Sequence, residues 1–269
     1  PNIMARNLRS RRTGMIGVFI ADMADSACIL TSQLILNKLH AQDFLPLLTV
    51  AEIGPELCIR EWLQNRIEGL IFCGTTDFIT ADFLEEIATF GIVSLIAGCT
   101  FKNPENPKLR EAQISTVSVD NYAGIMMAIK HLRETKRQKI VHLCGPGWHG
   151  DAWERRIAYE TIISGQHDPI VIYPDNSKHF WQKGYNGMAE LYSSGTNYDA
   201  IVAYDDQFGI GAVKWLAEHH IQVPQQVAVV GFDNSPESQS CTPALTTITQ
   251  PMEQIADKSV SLMKNYLCT

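Results

Sequence analysis

Residues 199–234 read DAIVAYDDQFGIGAVKWLAEHHIQVPQQVAVVGFDN, and this stretch decides the fold. Two short apolar runs, 199–204 and 227–232, flank a segment with helical periodicity at 208–220. In such a strand–helix–strand unit the helix returns the chain to the same end of the sheet, so the two strands lie parallel. The stretch therefore predicts a parallel sheet with a helix packed on its face.

The same alternation runs along almost the whole chain. Six further apolar runs are strand candidates, at 15–20, 45–50, 69–73, 93–97, 139–144 and 169–173. Further segments with helical periodicity lie at 30–41, 56–66, 122–133, 153–164 and 183–193. Strands that are apolar throughout are buried on both faces, so helices must cover both sides of each sheet. The predicted fold class is α/β.

One segment, 99–116, interrupts the alternation with two prolines and many polar residues, and a second strand–helix series follows it. We therefore expect two doubly wound parallel-sheet subdomains with a ligand cleft between them. Ligands of such sheets bind beyond the carboxyl ends of the strands. The predicted division is a leader at 1–12, an amino-terminal subdomain at 13–119 plus 248–269, and a carboxyl-terminal subdomain at 120–247.

Composition excludes several classes of protein. The chain has 269 residues, 45% of them hydrophobic, and a net charge of −7, so most of its surface should repel nucleic acid. The exception is the basic tract MARNLRSRR at 4–12. No apolar run approaches the roughly 20 residues of a membrane span, and the start lacks a signal-peptide core. Seven scattered cysteines without a Cys-x-x-Cys pair predict reduced thiols and a cytoplasmic protein.

The motifs of common enzymes are absent. The loop GPGWHG at 145–150 lacks the pattern of a phosphate-binding loop, and no dinucleotide fingerprint follows the first strand. His142, His149 and Asp151 lie close in sequence, but a strand residue and two loop residues need not share a face, so we expect no metal site. Asp205 and Asp206 are adjacent and should point apart, which disfavours an acid–base pair. We expect neither catalysis nor a cofactor.

Several motifs together resemble the lactose-repressor and purine-repressor type of bacterial transcription regulator. They are NIMARNLRSRRTGMIGVFI (2–20), VDNYAGIMMAIKHL (119–132), CGPGWHGDAWERRIAYE (144–160), DDQFGIGAVKWLAEHHIQVPQQVAVVGFDN (205–234) and TPALTTITQP (242–251). The resemblance implies the type I periplasmic-binding-protein-like fold, a homodimer, operator DNA as a partner and a small-molecule effector. It also implies a helix-turn-helix domain ahead of this segment, and in the hinge it matches Arg6 and Leu8 to positions that approach the minor groove.

The resemblance also implies which residues bind the effector. Arg155 matches the arginine that grips the effector, and Asp233 matches the acid that accepts its hydrogen bonds. The other predicted effector-binding residues are His149, Asp151, His179, Asp205, Gln250, Asp22 and Ser26. The chain departs from sugar repressors where they often have Asn and Asp, because Cys73 and Gly98 stand at those positions.

The favoured hypothesis is the effector-binding and dimerisation core of a regulator that senses a small polar metabolite, with a sugar or sugar derivative favoured and a nucleobase possible. One alternative is a periplasmic-type sugar-binding protein for transport or chemoreception, which requires a signal peptide. The other is an enzyme such as a sugar kinase or dehydrogenase, which the missing nucleotide motifs disfavour.

Overall fold

The computed structural model of the protein describes residues 13–51, 55–74, 79–100, 114–165 and 168–268. The strands are β1 (Met15–Ile20), β2 (Leu45–Val50), β3 (Gly69–Cys73), β4 (Val93–Ala97), β5 (Ser115–Val117), β6 (Ile140–Leu143), β7 (Val171–Ile172), β8 (Ala200–Ala203), β9 (Ala228–Asp233) and β10 (Thr246–Thr249). The helices are α1 (Ser26–Ala41), α2 (Pro55–Gln64), α3 (Ala81–Thr89), α4 (Asn121–Glu134), α5 (Gly150–Ile163), α6 (Phe180–Ser193), α7 (Asp206–Glu218), α8 (Pro236–Ser240) and α9 (Met252–Cys268).

These elements form two units. The N unit contains the described residues up to Val119 and again from Pro251, and the C unit contains the described residues of Asp120–Gln250. The sequence-based division placed residues 248–250 in the N unit, whereas in the structure β10 pairs with β9 and so belongs to the sheet of the C unit. Among the described residues, no helix has the length and apolar character needed to cross a bilayer.

The sheet of the N unit is parallel, with strand order β2-β1-β3-β4-β5. Its central strands are apolar along their whole length, as in MIGVFI of β1, and they supply fully buried side chains such as Ile16 and Phe72. Helix α9 returns to this unit from the far end of the sequence and packs against α1. Lys38 of α1 pairs with Glu253 at 2.9 Å and with Asp257 at 2.7 Å.

The sheet of the C unit repeats this topology, with order β10-β9-β8-β6-β7 and parallel pairing throughout. In both units the first strand therefore lies between the second and the third, which is the switch point of a doubly wound sheet. Helices α6 and α7 approach closely on one face. A Cβ on Gly211 of α7 would lie 1.9 Å from the carbonyl oxygen of Trp181, so only glycine permits this contact.

Two strands differ from expectation at the sheet edges. The predicted strand 169–173 shrinks to the two residues of β7, which pairs with β6 alone. The Ile170 N–H donates to the Tyr159 hydroxyl at 3.1 Å, and that hydroxyl donates to the Ile140 carbonyl oxygen at 2.8 Å, so a side chain replaces the next bond between the two strands. The edge strands β5 and β10 were not predicted, because they are short and only partly buried.

Candidate ligand-binding site

Most of the predicted site residues of the C unit lie at the carboxyl edge of β6, β8 and β9. A switch in strand order leaves a crevice at this edge of an open parallel sheet. The loop after β6 ends at His149 and leads into α5, while Tyr204 and Asp205 follow β8. Asp233 is the last residue of β9. Strand order thus brings together segments that are distant in sequence.

Arg155 of α5 lies at the centre of this group and is 2% exposed. Its Nε donates to Asn121 Oδ1 at 2.8 Å, and its Nη1 donates to the carbonyl oxygen of Tyr204 at 2.6 Å. Within the part of the chain that the structure describes, Nη2 makes only an ion pair, with Asp233 Oδ1 at 3.8 Å. We refer to the connected polar residues as the Arg155 network: Arg155, Asn121, Asp151, Tyr204, Asp233 and Gln250.

Two aromatic rings hold the guanidinium of Arg155. Its Cζ lies 3.7 Å from the centre of the Phe232 ring and 5.1 Å from that of Tyr204. A planar guanidinium stacks well on such rings. Burial by itself lowers the pKa of Arg155, but the nearby carboxylates, Asp233 first, outweigh it and raise the pKa overall. Arg155 is therefore a cation held by its Nε and Nη1 edges.

Asp233 has an unusual backbone conformation. Its φ is 109°, a region that residues with a side chain rarely adopt, and strain of this kind concentrates at functional sites. Gln250 Nε2 donates to Asp233 Oδ1 at 2.5 Å, which fixes the carboxylate beside Arg155. The predicted pair Arg155 and Asp233 and the predicted Gln250 thus lie in one network.

Asn121, the first residue of α4, connects this network to further acids. Its Nδ2 donates to Asp151 Oδ1 at 2.9 Å and to Glu154 Oε2 at 2.8 Å, while its Oδ1 accepts from Arg155. Asn121 is 1% exposed. The sequence did not reveal this role, because it depends on how α4 packs against α5. The predicted residue Asp151 therefore contacts Arg155 through Asn121.

His149 and Tyr204 form an aromatic side of the site. His149 Nδ1 lies 3.0 Å from the Tyr204 hydroxyl oxygen, and burial lowers the pKa of His149, which favours the neutral ring at pH 7. The exposed Trp148 packs edge-on against His149 at 5.4 Å. A Cβ on Gly145 would lie 2.4 Å from the Tyr204 ring, so a glycine is needed where the loop after β6 passes this ring.

The remaining predicted residues of the C unit have separate roles. Asp205 caps α7 by accepting from the Phe208 N–H at 2.7 Å, whereas Asp206 accepts from the Ser235 N–H at 2.6 Å. The two adjacent acids thus bind different partners. His179 is exposed and precedes α6, and its neighbour Phe180 is the side chain that contacts the Tyr204 ring, at 6.3 Å.

The predicted residues of the N unit lie at its own switch point, after β1. Asp22 Oδ1 accepts from the Ala24 N–H at 2.7 Å, and Ser26 begins α1. Cys73 ends β3 and is buried, and Gly98 follows β4 with a φ of 89°. No group of three His, Cys, Asp or Glu residues could hold a metal ion within the described ranges. The predicted hinge residues Arg6 and Leu8 lie outside those ranges.

Comparison with known proteins gives the family. Residues 129–267 match a family model described as a periplasmic binding protein-like domain. The chain belongs to this family. It is also 25% identical over 273 residues to the HTH-type transcriptional regulator GalR of Salmonella typhimurium (strain LT2), covering 97% of this chain and 75% of that protein. GalR of Escherichia coli (strain K12), 23% identical, is a further relative with the same description, and these matches confirm the resemblance to lactose-repressor and purine-repressor type proteins.

Solved structures share the fold of this periplasmic-binding-protein-like chain. A LacI family transcriptional regulator from Enterococcus faecalis V583 with bound ribose has a TM-score of 0.79 at 20% identity, over 95% of this chain and 91% of that one. The lac repressor dimer bound to operator and the anti-inducer ONPF has a TM-score of 0.81 at 20% identity, over 100% of this chain and 91% of that one. The predicted α/β class with two doubly wound parallel sheets is confirmed.

Proposed function

We propose that this chain is the effector-binding and dimerisation core of a bacterial DNA-binding transcription regulator that senses a small polar metabolite, with a sugar favoured. The Arg155 network is the observation that carries the proposal. Two relatives support it by their descriptions, since one has bound ribose and another is a dimer on its operator. We also propose that the protein is cytoplasmic and that it has neither catalytic activity nor a cofactor.

The chemistry of the network suits a polyol. Nη2 of Arg155 is a donor whose only partner among the described residues is the Asp233 carboxylate at 3.8 Å. A sugar hydroxyl both donates and accepts, so one hydroxyl can accept from Arg155 while it donates to Asp233. Trp148, His149 and Tyr204 add rings against which the apolar face of a sugar can pack. Apolar rings with a few fixed polar groups are typical of ligand sites.

The direct test is calorimetry with a panel of sugars, comparing Arg155→Gln with Arg156→Gln. Arg156 is the next residue of α5, but it pairs with Glu160 at 3.0 Å and lies outside the network, so its variant is a matched control. We expect Arg155→Gln to weaken binding roughly 100-fold, about 3 kcal/mol, and Arg156→Gln to leave it unchanged. Arg155→Lys keeps the charge without the planar fork and should also bind weakly. Equal affinity of all variants removes Arg155 from the site.

The dimer and the DNA partner need separate tests. Sedimentation of the chain at micromolar concentration should give a dimer. The full-length gene product should select a DNA sequence in vitro, and the sugar should change its affinity for that DNA through a shift between two states. If the full-length protein binds no DNA sequence, the proposal that it is a transcription regulator is contradicted.

A periplasmic-type sugar-binding protein is the second candidate, because the matching family model is that of a periplasmic binding protein-like domain. The open reading frame upstream of the codon for Pro1 decides between the two. A helix-turn-helix sequence there supports the regulator, whereas a signal peptide supports the transport or chemoreception protein.

A further inference from the structure

Arg155, the one cation of the Arg155 network, is surrounded by several acids. Asp151, Asp205 and Asp233 are each less than 10% exposed, and all three act electrostatically on Arg155. Glu154 contributes a further carboxylate through its hydrogen bond from Asn121. His149 does not offset these charges, because burial lowers its pKa and favours the neutral ring. The surroundings of the guanidinium therefore carry a net negative charge.

The guanidinium also lacks a free pair of donors. Arginine binds phosphate best with two nitrogens in parallel, either Nη1 with Nη2 or Nε with Nη2. Each pair here includes a nitrogen that already donates to the protein, Nε to Asn121 and Nη1 to the Tyr204 carbonyl. The nitrogen common to both pairs, Nη2, faces Asp233 at 3.8 Å. An anion would have to displace this carboxylate.

Acids also offset the partial positive charge of the helix N termini at the carboxyl edge of the C-unit sheet. An N terminus attracts anions through its free N–H groups and dipole. Asp151 occupies the first turn of α5, Asp205 caps α7 with Asp206 in its first turn, and Glu237 lies in the first turn of α8. Helix α6 has no acid in its first turn, but its N-cap is the exposed His179, which lies outside the network.

We propose that the effector bound by the Arg155 network carries no anionic group, so that it is a neutral polyol or an amino sugar and its phosphate esters are rejected. This inference rests on the proposed function and narrows its ligand. A hydroxyl donates to Asp233 where a phosphate oxygen would be repelled, and a protonated amine gains from the same carboxylates.

The experiment is calorimetry at constant ionic strength with matched pairs. The probes are D-ribose and ribose 5-phosphate, D-glucose and glucose 6-phosphate, D-galactose and galactose 6-phosphate, with glucosamine and glucosamine 6-phosphate as the amino-sugar pair. We expect at least one unphosphorylated sugar to bind and its ester to bind about tenfold more weakly or worse. A phosphate ester that binds more tightly than its parent sugar overturns the inference but leaves the proposed sensor intact. If neither member of any pair binds, both the inference and the proposal of a sugar effector are contradicted.

Two acid-to-amide variants test the cause of the selectivity. Asp233→Asn removes the charge beside Nη2, and Asp205→Asn removes a second charge while asparagine still caps α7. Each should reduce the discrimination against the ester severalfold. Glu190→Gln changes an exposed acid near the far end of α6 and is the control that should leave discrimination unchanged. If Asp233→Asn and Asp205→Asn both discriminate as strongly as the natural protein, the carboxylates are not the cause of the selectivity and the inference is wrong.

Discussion

Acid should destabilise the C unit through one buried histidine. His142 lies in β6 with no exposed surface, and its ring stacks on Tyr159 at 5.3 Å. Nδ1 lies 2.9 Å from the carbonyl oxygen of Val202, so this nitrogen carries the proton. Nε2 is buried without a hydrogen-bond partner among the described residues. A second proton on this ring would therefore place an unpaired charge inside the sheet.

The size of the effect follows from the shift in pKa. Burial, aided by the charges of Arg155 and Arg156, lowers the pKa of His142 from 6.5 to about 4, although the bond to Val202 opposes the change. Because the folded pKa lies below the unfolded one, the unfolded chain binds the proton first as the pH falls. The contribution of the neutral His142 ring to the free energy of unfolding is fully present above pH 6.5 and is lost as the pH falls towards 4. At pH 5 the loss should be about 2 kcal/mol.

The assay compares His142→Asn with the natural protein and with His131→Asn. Asparagine keeps a donor near the Val202 carbonyl but cannot titrate, and His131 is an exposed residue of α4. Urea unfolding at pH 7 and pH 5, read by amide exchange in β6 and β8, reports on the C unit. The natural protein and His131→Asn should lose about 2 kcal/mol more than His142→Asn between the two pH values. Equal losses in all three proteins would refute the role of His142.

Three further substitutions test the packing around the site. Asn121→Ala leaves Arg155 Nε without its acceptor and should lower the free energy of unfolding by about 2 kcal/mol, measured by urea titration. Gly145→Ala should push the Tyr204 ring aside, cost about 1–3 kcal/mol and weaken sugar binding in calorimetry. Gly211→Ala should cost at least as much, because its Cβ would meet backbone of α6, and should leave the sugar affinity of the folded fraction unchanged. Unaltered stability in any of these variants contradicts the corresponding contact.

The sequence predicted the central parts of both sheets because their strands are buried on both faces and so are apolar throughout. Helix α4 was equally predictable, since Ile125, Ala128, Ile129 and Leu132 repeat at helical spacing and all are buried. Strand β10 is only four residues long, contains Ile248 as its one apolar residue and is paired on one side alone, so its sequence resembles a loop. The edge strands are therefore the elements of this fold that are hardest to predict from the sequence pattern.

The site was predictable where a charged side chain stands in a motif. Family resemblance predicted Arg155 and Asp233 as effector-binding residues, and the structure places their side chains 3.8 Å apart. Asn121 and the carbonyl of Tyr204 were missed for a physical reason. A backbone carbonyl leaves no trace in a sequence, and the role of Asn121 arises only when α4 and α5 pack together.

The central claim is that a small molecule held by the Arg155 network changes DNA binding. The most direct measurement is the fluorescence anisotropy of the selected DNA with the full-length protein, at saturating sugar and without it, for the natural sequence and for Arg155→Gln. The account predicts that sugar changes the DNA Kd about 5- to 150-fold in the natural protein and leaves it unchanged in Arg155→Gln. An equal response in the two proteins, or no response in the natural one, would contradict it.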